Sequence, residues 1–136
     1  MAELAAISSF LRAPGPVVDV RAPAEFAQGH IPGARNLPLF SDDERATVGT
    51  TYKQQGRAAA VQVGLELVGP KLAALGQALT AWSAEAGGAP LRLHCWRGGM
   101  RSGSVAWLAG TLDLPVLLLQ GGYKAYRRWV LELLLL

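Results

Sequence analysis

Leu91-Arg92-Leu93-His94-Cys95-Trp96-Arg97-Gly98-Gly99-Met100-Arg101-Ser102 is the stretch that decides the fold. Leu91–Cys95 is a short apolar run that reads as a buried strand, and Arg101–Leu112 reads as a helix. Between them lie Arg97 and two glycines. A strand that passes through a short loop straight into a helix is the unit of a parallel α/β sheet. In such sheets ligands gather beyond the carboxyl ends of the strands.

The same alternation extends in both directions. Ala2–Leu11 reads as a helix with Leu4, Ile7 and Leu11 on one side, stopped by Pro14-Gly15-Pro16. Val17–Val20 reads as a buried strand, Pro23–Gln28 as one helical turn, and Ala34–Leu37 as a second strand. Asp42-Asp43-Glu44 puts negative charge where a helix begins. Val61, Leu65, Val68, Leu72, Leu75, Leu79 and Trp82 recur in steps of three and four, one helical stripe expected to face the core. Gly69-Pro70 divides it into two helices, with Pro70 opening the second. Val116–Leu119 is an apolar strand, Gly121-Gly122 a turn, and Tyr123–Leu135 a closing helix. In that helix Tyr126, Val130 and Leu133 are expected inside, and Arg127 and Arg128 in water.

Composition bounds the function. At 136 residues, 51% hydrophobic and 17% charged, the chain suits one ordinary domain, residues 1–136, with its own core. Thirteen basic and ten acidic residues leave a net charge of +3, which suits anionic small substrates or a role near RNA rather than dedicated DNA binding. One cysteine excludes an intramolecular disulfide, and with only His30 and His94 beside it a zinc site is not expected. The C-terminal apolar run Trp129–Leu136 is far short of the ~20 residues that span a bilayer, and Met-Ala-Glu-Leu has no basic leader. No membrane partner and a cytoplasmic location, where a lone thiol stays reduced, are the expectations.

The chemistry centres on Cys95. A loop entering a helix aims backbone N–H groups at one point, and the helix dipole adds positive potential. Gly98 and Gly99 let the backbone curl. Such a setting favours thiolate at Cys95, the proposed nucleophile, and stabilises a second negative charge brought to the sulfur. The N–H groups from Trp96 through Arg97, Gly98, Gly99 and Met100 to Arg101 form the expected anion cradle, which Arg97 and Arg101 can reinforce. Arg101 can point into the cradle or brace the loop; Ser102 can bond the sulfur or cap the helix, and capping is favoured slightly. Trp96 can shield the sulfur, stack on a base or simply pack. His94, within the strand, is expected on the opposite face from Cys95, which argues against a Cys–His base pair. Arg45, Tyr52, Lys53 and Arg57 can wall the site, meet phosphates, or form a solvated helix face.

Asp19-Val-Arg21-Ala-Pro-Ala-Glu25-Phe26 followed by Gly29-His30-Ile31-Pro32-Gly33-Ala34-Arg35-Asn36 resembles the first half of rhodanese-like domains. The cysteine loop and Gln120-Gly121-Gly122 resemble the second half. The resemblance implies a central parallel sheet of about five short strands flanked by helices on both faces. It also supports structural roles for Asp19, Arg21 and Glu25, where Arg21 and Glu25 can pair across a turn; His30, before Ile31-Pro32-Gly33, reads as a hydrogen-bonded structural histidine. Ser41 to Gly56, Cys95 to Ser102 and Gly121 to Arg127 are most similar to the N-terminal rhodanese domain of tRNA 2-selenouridine synthase. In that family a P-loop domain follows, selenophosphate is the donor, and a 2-thiouridine passes through an S-geranylated intermediate. A Walker A motif needs Gly-Lys, and no Gly-Lys occurs here. A fragment, separate polypeptides, or a lone domain with another sulfur-transfer task would each account for that.

The resemblance therefore implies a sulfurtransferase carrying sulfur or selenium as a persulfide on Cys95. Its donor would be anionic: thiosulfate, a persulfide or selenophosphate. tRNA is an implied partner, and no metal or organic cofactor is needed. The alternative is a phosphatase or arsenate reductase of the same fold. Five residues separate Cys95 from Arg101, one more than simple sulfurtransferases carry, as in the cell-cycle dual-specificity phosphatases. The loop lacks the acidic residue those phosphatases place there. A non-catalytic binding module is the third reading.

Overall fold

A computed structural model describes residues 2–97 and 99–136. Five strands, β1 (Glu3–Ala5), β2 (Val17–Asp19), β3 (Arg35–Asn36), β4 (Leu91–His94) and β5 (Val116–Leu119), form one parallel sheet in the order β1-β5-β4-β2-β3. The helices between them are α1 (Ile7–Arg12), α2 (Pro23–Gln28), α3 (Asp42–Gln55), α4 (Arg57–Val68), α5 (Leu72–Glu85), α6 (Met100–Thr111) and α7 (Gly122–Leu134).

The register explains why the strands read as near-continuous apolar runs. Val18 pairs with Leu93, and Leu93 with Leu118, so these three share one face. That face packs against Leu75 and Leu79 of α5 and Val105, Leu108 and Ala109 of α6. Val17 and Leu119 point the other way, onto Phe10 of α1 and Ile31. Both faces of the sheet are thus covered, as parallel sheets require.

Four expectations need correction. Ala2–Leu11 is not one helix: Glu3–Ala5 is an edge strand paired with β5, and only Ile7–Arg12 is helical. Three residues are too few to show a period, and the edge left open by β5 decides their conformation. The long apolar stripe does not face the core throughout. Leu75 and Leu79 are buried, but Leu65 is 63% exposed. Leu133, expected inside, is 48% exposed in the last turn of α7, where Leu131 and Leu134 are exposed as well. Arg21 pairs with Asp19, and Glu25 with Arg101 and Arg45, so the expected Arg21–Glu25 pair does not form.

The helical starts follow local chemistry. Ser41 Oγ accepts the Glu44 N–H at 3.2 Å while Glu44 returns a carboxylate to the Ser41 N–H at 2.8 Å, and α3 begins there. Gly69–Lys71 forms a single tight turn between α4 and α5. From Arg57 to Glu85 the helical stretch reaches 29 residues, and an 18-residue window within it has a mean hydropathy of 1.3, enough by length and composition to cross a membrane. The sequence reading did not single it out. Here Leu75 and Leu79, buried, lie in the core layer on the sheet, and Ala60 and Gly76 are the other buried residues of the stretch.

Candidate active site

Cys95 lies just past the end of β4, buried at 3% exposure, with α6 opening five residues later. Its Sγ is 3.2 Å from Ser102 Oγ. Burial pushes the thiol pKa up. The Ser102 hydroxyl, the backbone N–H groups of Ser102 and Gly99, and the Arg101 charge outweigh burial and hold it below the ordinary value. Ser102 therefore faces the sulfur from the first turn of α6 and makes no cap; the N-cap position is Gly99. The cradle is shallow in its described part: Gly99 and Ser102 supply the donors, Arg97 and Met100 are exposed, and Trp96 is half-buried. Gly98, expected in the cradle, lies outside the described residues.

Arg101 braces rather than points inward. Its Nη1 donates to Glu25 Oε1 at 2.6 Å and its Nη2 to Oε2 at 3.3 Å. Glu25 also meets Arg45 Nε at 3.3 Å and accepts the Ala22 N–H at 2.9 Å. Burial raises the Glu25 pKa, but Arg101 foremost, then the Ala22 N–H and Arg45, hold it below the ordinary value. One carboxylate thus ties α2, α3 and α6 together at the loop.

Behind the cysteine lies a second polar layer on the opposite face. Asp19 accepts Arg21 Nε at 3.0 Å and Nη2 at 2.8 Å, and that guanidinium also donates to the Gly29 carbonyl at 2.7 Å. It lies 4.0 Å from the Tyr123 ring centroid. Asn36 Nδ2 donates to the Asp19 and Arg21 carbonyls, each at 2.9 Å. His94 shares this layer: its Nδ1 is 3.1 Å from the Cys95 carbonyl oxygen, and its Nε2 is 3.5 Å from Asp19 Oδ2 without a hydrogen bond. Burial lowers its pKa against the pull of Asp19 and the Cys95 carbonyl. His94 therefore works on the loop backbone from the far face and makes no contact with the sulfur. His30, exposed, stacks on Phe26 at 3.8 Å and meets the Phe26 carbonyl.

The glycine pair before α7 completes the setting. The Tyr123 N–H donates to the Cys95 carbonyl at 2.8 Å and the Lys124 N–H to the Trp96 carbonyl at 3.0 Å. A Cβ on Gly122 would lie 2.6 Å from Trp96 backbone and 2.7 Å from the Cys95 oxygen, and its φ is +62°. Only glycine fits such an approach in the left-handed region. Sequence reasoning marked this pair as a turn and missed that it clamps the loop; its position after an apolar strand was the available signal.

Beside the loop, α3 to α6 enclose a groove of about 1050 Å³. Phe40, Val48, Val61, Leu65, Val68 and Leu108 line it, and Arg45, Tyr52, Arg57, Met100 and Arg101 stand among its polar and sulfur-bearing residues. Arg57 Nη2 is 3.6 Å from Met100 Sδ. The groove explains the exposed half of the apolar stripe. Cys95 does not line it, and Lys53, grouped in sequence with Arg45, Tyr52 and Arg57, does not either.

The comparisons agree with this architecture. The family model described as rhodanese-like domain matches residues 3–128. Over 120 residues the chain is 49% identical to a tRNA 2-selenouridine synthase of Pseudomonas putida, covering 86% of this chain and 32% of that one. A tRNA 2-selenouridine synthase of Bdellovibrio bacteriovorus is 49% identical over 121 residues, covering 86% and 31%. The chain spans about a third of the length of these curated relatives. Among solved structures, the N-terminal domain of a Clostridium difficile 630 protein named for ATP/GTP binding superposes with a TM-score of 0.89 at 38% identity, covering 95% of this chain and 99% of that one. A rhodanese-related protein of Thermoplasma volcanium shares the fold at a TM-score of 0.53 and 16% identity. With sheet order, cysteine loop and family match in accord, the chain belongs to the rhodanese-like domain family.

Proposed function

We propose that residues 1–136 act as one rhodanese-like domain that carries sulfur or selenium on Cys95, within a cytoplasmic system converting tRNA 2-thiouridine to 2-selenouridine. The observation that carries this reading is the sole thiol, held below its ordinary pKa by Ser102 and the α6 N–H groups. The relatives named tRNA 2-selenouridine synthase supply the reaction class. Thiosulfate, a persulfide or selenophosphate are the donors of the right charge.

With thiosulfate the step balances simply. The Cys95 thiolate attacks the outer sulfur, an Sγ–S bond forms, the thiosulfate S–S bond breaks, and sulfite leaves with the electron pair. The persulfide left on Cys95 is anionic, and the Gly99 and Ser102 N–H groups are placed to hold it. An acceptor then takes the terminal sulfur and the thiolate returns. The neighbouring groove gives the S-geranylated intermediate that the resemblance implies an apolar place for its hydrocarbon.

Thiosulfate:cyanide sulfur transfer tests the reading, with intact mass reporting one added sulfur on Cys95. Cys95→Ala should abolish both signals and keep the fold. Undiminished transfer in that variant overturns the assignment. The Cys-x5-Arg spacing keeps phosphatase or arsenate reductase chemistry as the second reading. Aryl phosphate turnover lost in Cys95→Ser, with no thiosulfate turnover, would establish it instead.

A further inference from the structure

The chain's cations are not spread evenly. Arg21, Arg35, Arg45, Lys71 and Arg101 each meet a carboxylate, and Arg92 is spent on the carbonyls of Phe10, Leu11 and Gly15. Arg12, Lys53, Arg57, Arg97, Lys124, Arg127 and Arg128 are exposed, and none has a carboxylate partner among the described residues; four of these seven lie on the cysteine loop and the first turns of α7. Lys124, Arg127 and Arg128 stand three and four positions apart, so they share one face of α7. Glu132, one turn beyond Arg128, makes no ion pair with them.

That face starts at the cysteine loop. The Lys124 N–H is bonded to the Trp96 carbonyl, and Trp96 carries the half-buried ring nearest Cys95 in sequence, 6.2 Å from the Tyr123 centroid. A basic helix face and an aromatic ring therefore meet at the loop that carries Cys95. Unpaired cations neutralise a phosphate chain, and a flat ring offers a stacking platform for an unpaired base.

We propose that the exposed face of α7, Lys124, Arg127 and Arg128, together with Arg97 and Trp96, is the surface on which a single-stranded RNA loop docks. The cations track the phosphates flanking the reacting nucleotide, and the Trp96 ring stacks on a base beside Cys95. The proposal rests on the sulfur-carrier reading above, because it places the acceptor base at that thiol.

The test uses this chain and a labelled RNA hairpin with a seven-base loop of anticodon type, followed by fluorescence anisotropy across a salt series. Lys124→Glu/Arg127→Glu/Arg128→Glu should weaken binding roughly 10-fold or more and flatten the salt dependence. Trp96→Ala should weaken binding to the hairpin and leave binding to a blunt duplex unchanged. Thiosulfate loading of Cys95 in the triple variant should match the parent, so a failure of the carrier reading shows separately as absent loading in the parent. An unchanged affinity and salt slope in the triple variant would overturn the proposal. So would an equal loss in Lys53→Glu, a cation on α3 outside this face, or equal affinity for hairpin and blunt duplex in the parent.

Discussion

The cysteine loop is held differently on its two flanks. Toward α7 it meets backbone: the Tyr123 and Lys124 N–H groups close on the Cys95 and Trp96 carbonyls, with no room for a side chain at Gly122. Toward the groove it meets side chains: Arg101 reaches Glu25, Ser102 faces the sulfur, and Met100 is exposed beside Arg57. Backbone contacts have few alternative geometries, whereas side chains can exchange partners. The α7 flank therefore sets where the sulfur sits, and the groove flank sets its charge and what can lie beside it.

The sharpest way to break this comparison is Gly122→Val. A β-branched side chain there collides with two carbonyl groups at a φ of +62°, and a loss of roughly 3 kcal/mol or more is expected in denaturant unfolding. A neutral outcome would mean that the α7 flank is soft. Next comes Glu25→Gln, which leaves Arg101 and Arg45 without their shared carboxylate; about 1–3 kcal/mol should be lost. The sign follows from the lowered Glu25 pKa. Its stabilisation is present above the ordinary carboxylate value and disappears as pH falls through the folded value. The acid limb of the stability curve should therefore flatten in Glu25→Gln.

Ser102→Ala tests charge rather than position. It removes the first of the groups that lower the Cys95 pKa, so the pH profile of iodoacetamide alkylation should move upward. At neutral pH the rate should fall several-fold, on the order of one pKa unit or less, while stability changes by about 1 kcal/mol. An unmoved profile would assign the thiolate to the backbone N–H groups and the Arg101 charge. The smallest effect is expected at Leu65→Ser. Leu65 is 63% exposed on the groove wall, so unfolding should shift by no more than ~0.5 kcal/mol. A loss on the scale of a buried leucine would show that the groove closes in solution.

Much of the fold was legible because its signals are local. β2, β4 and β5 are apolar runs bounded by turn residues, and α3 opens where Ser41 and the acidic triplet stand. The site was legible at its centre: a cysteine between a strand and a helix, with His94 on the other face because alternate strand residues point oppositely. The seven-residue apolar stripe was legible as a helix face, but its spacing carries no information on what covers it. Leu79 and Trp82 pack with the core on the sheet, Val61, Leu65 and Leu72 line the groove, and Val68 and Leu75 do both.

The residue order by itself determined the strand–loop–helix unit, the break at Gly69-Pro70, and the presence of one thiol in a glycine-containing loop. These depend on backbone preference and on neighbours a few positions apart. Only the tertiary structure decided that Glu3–Ala5 joins the sheet edge, that Glu25 belongs to Arg101, and that Ser102 bonds the sulfur instead of capping its helix. It also decided that Gly122 must be bare. Each of these four depends on groups brought together from different elements or turns, and spacing along a chain does not encode such distances.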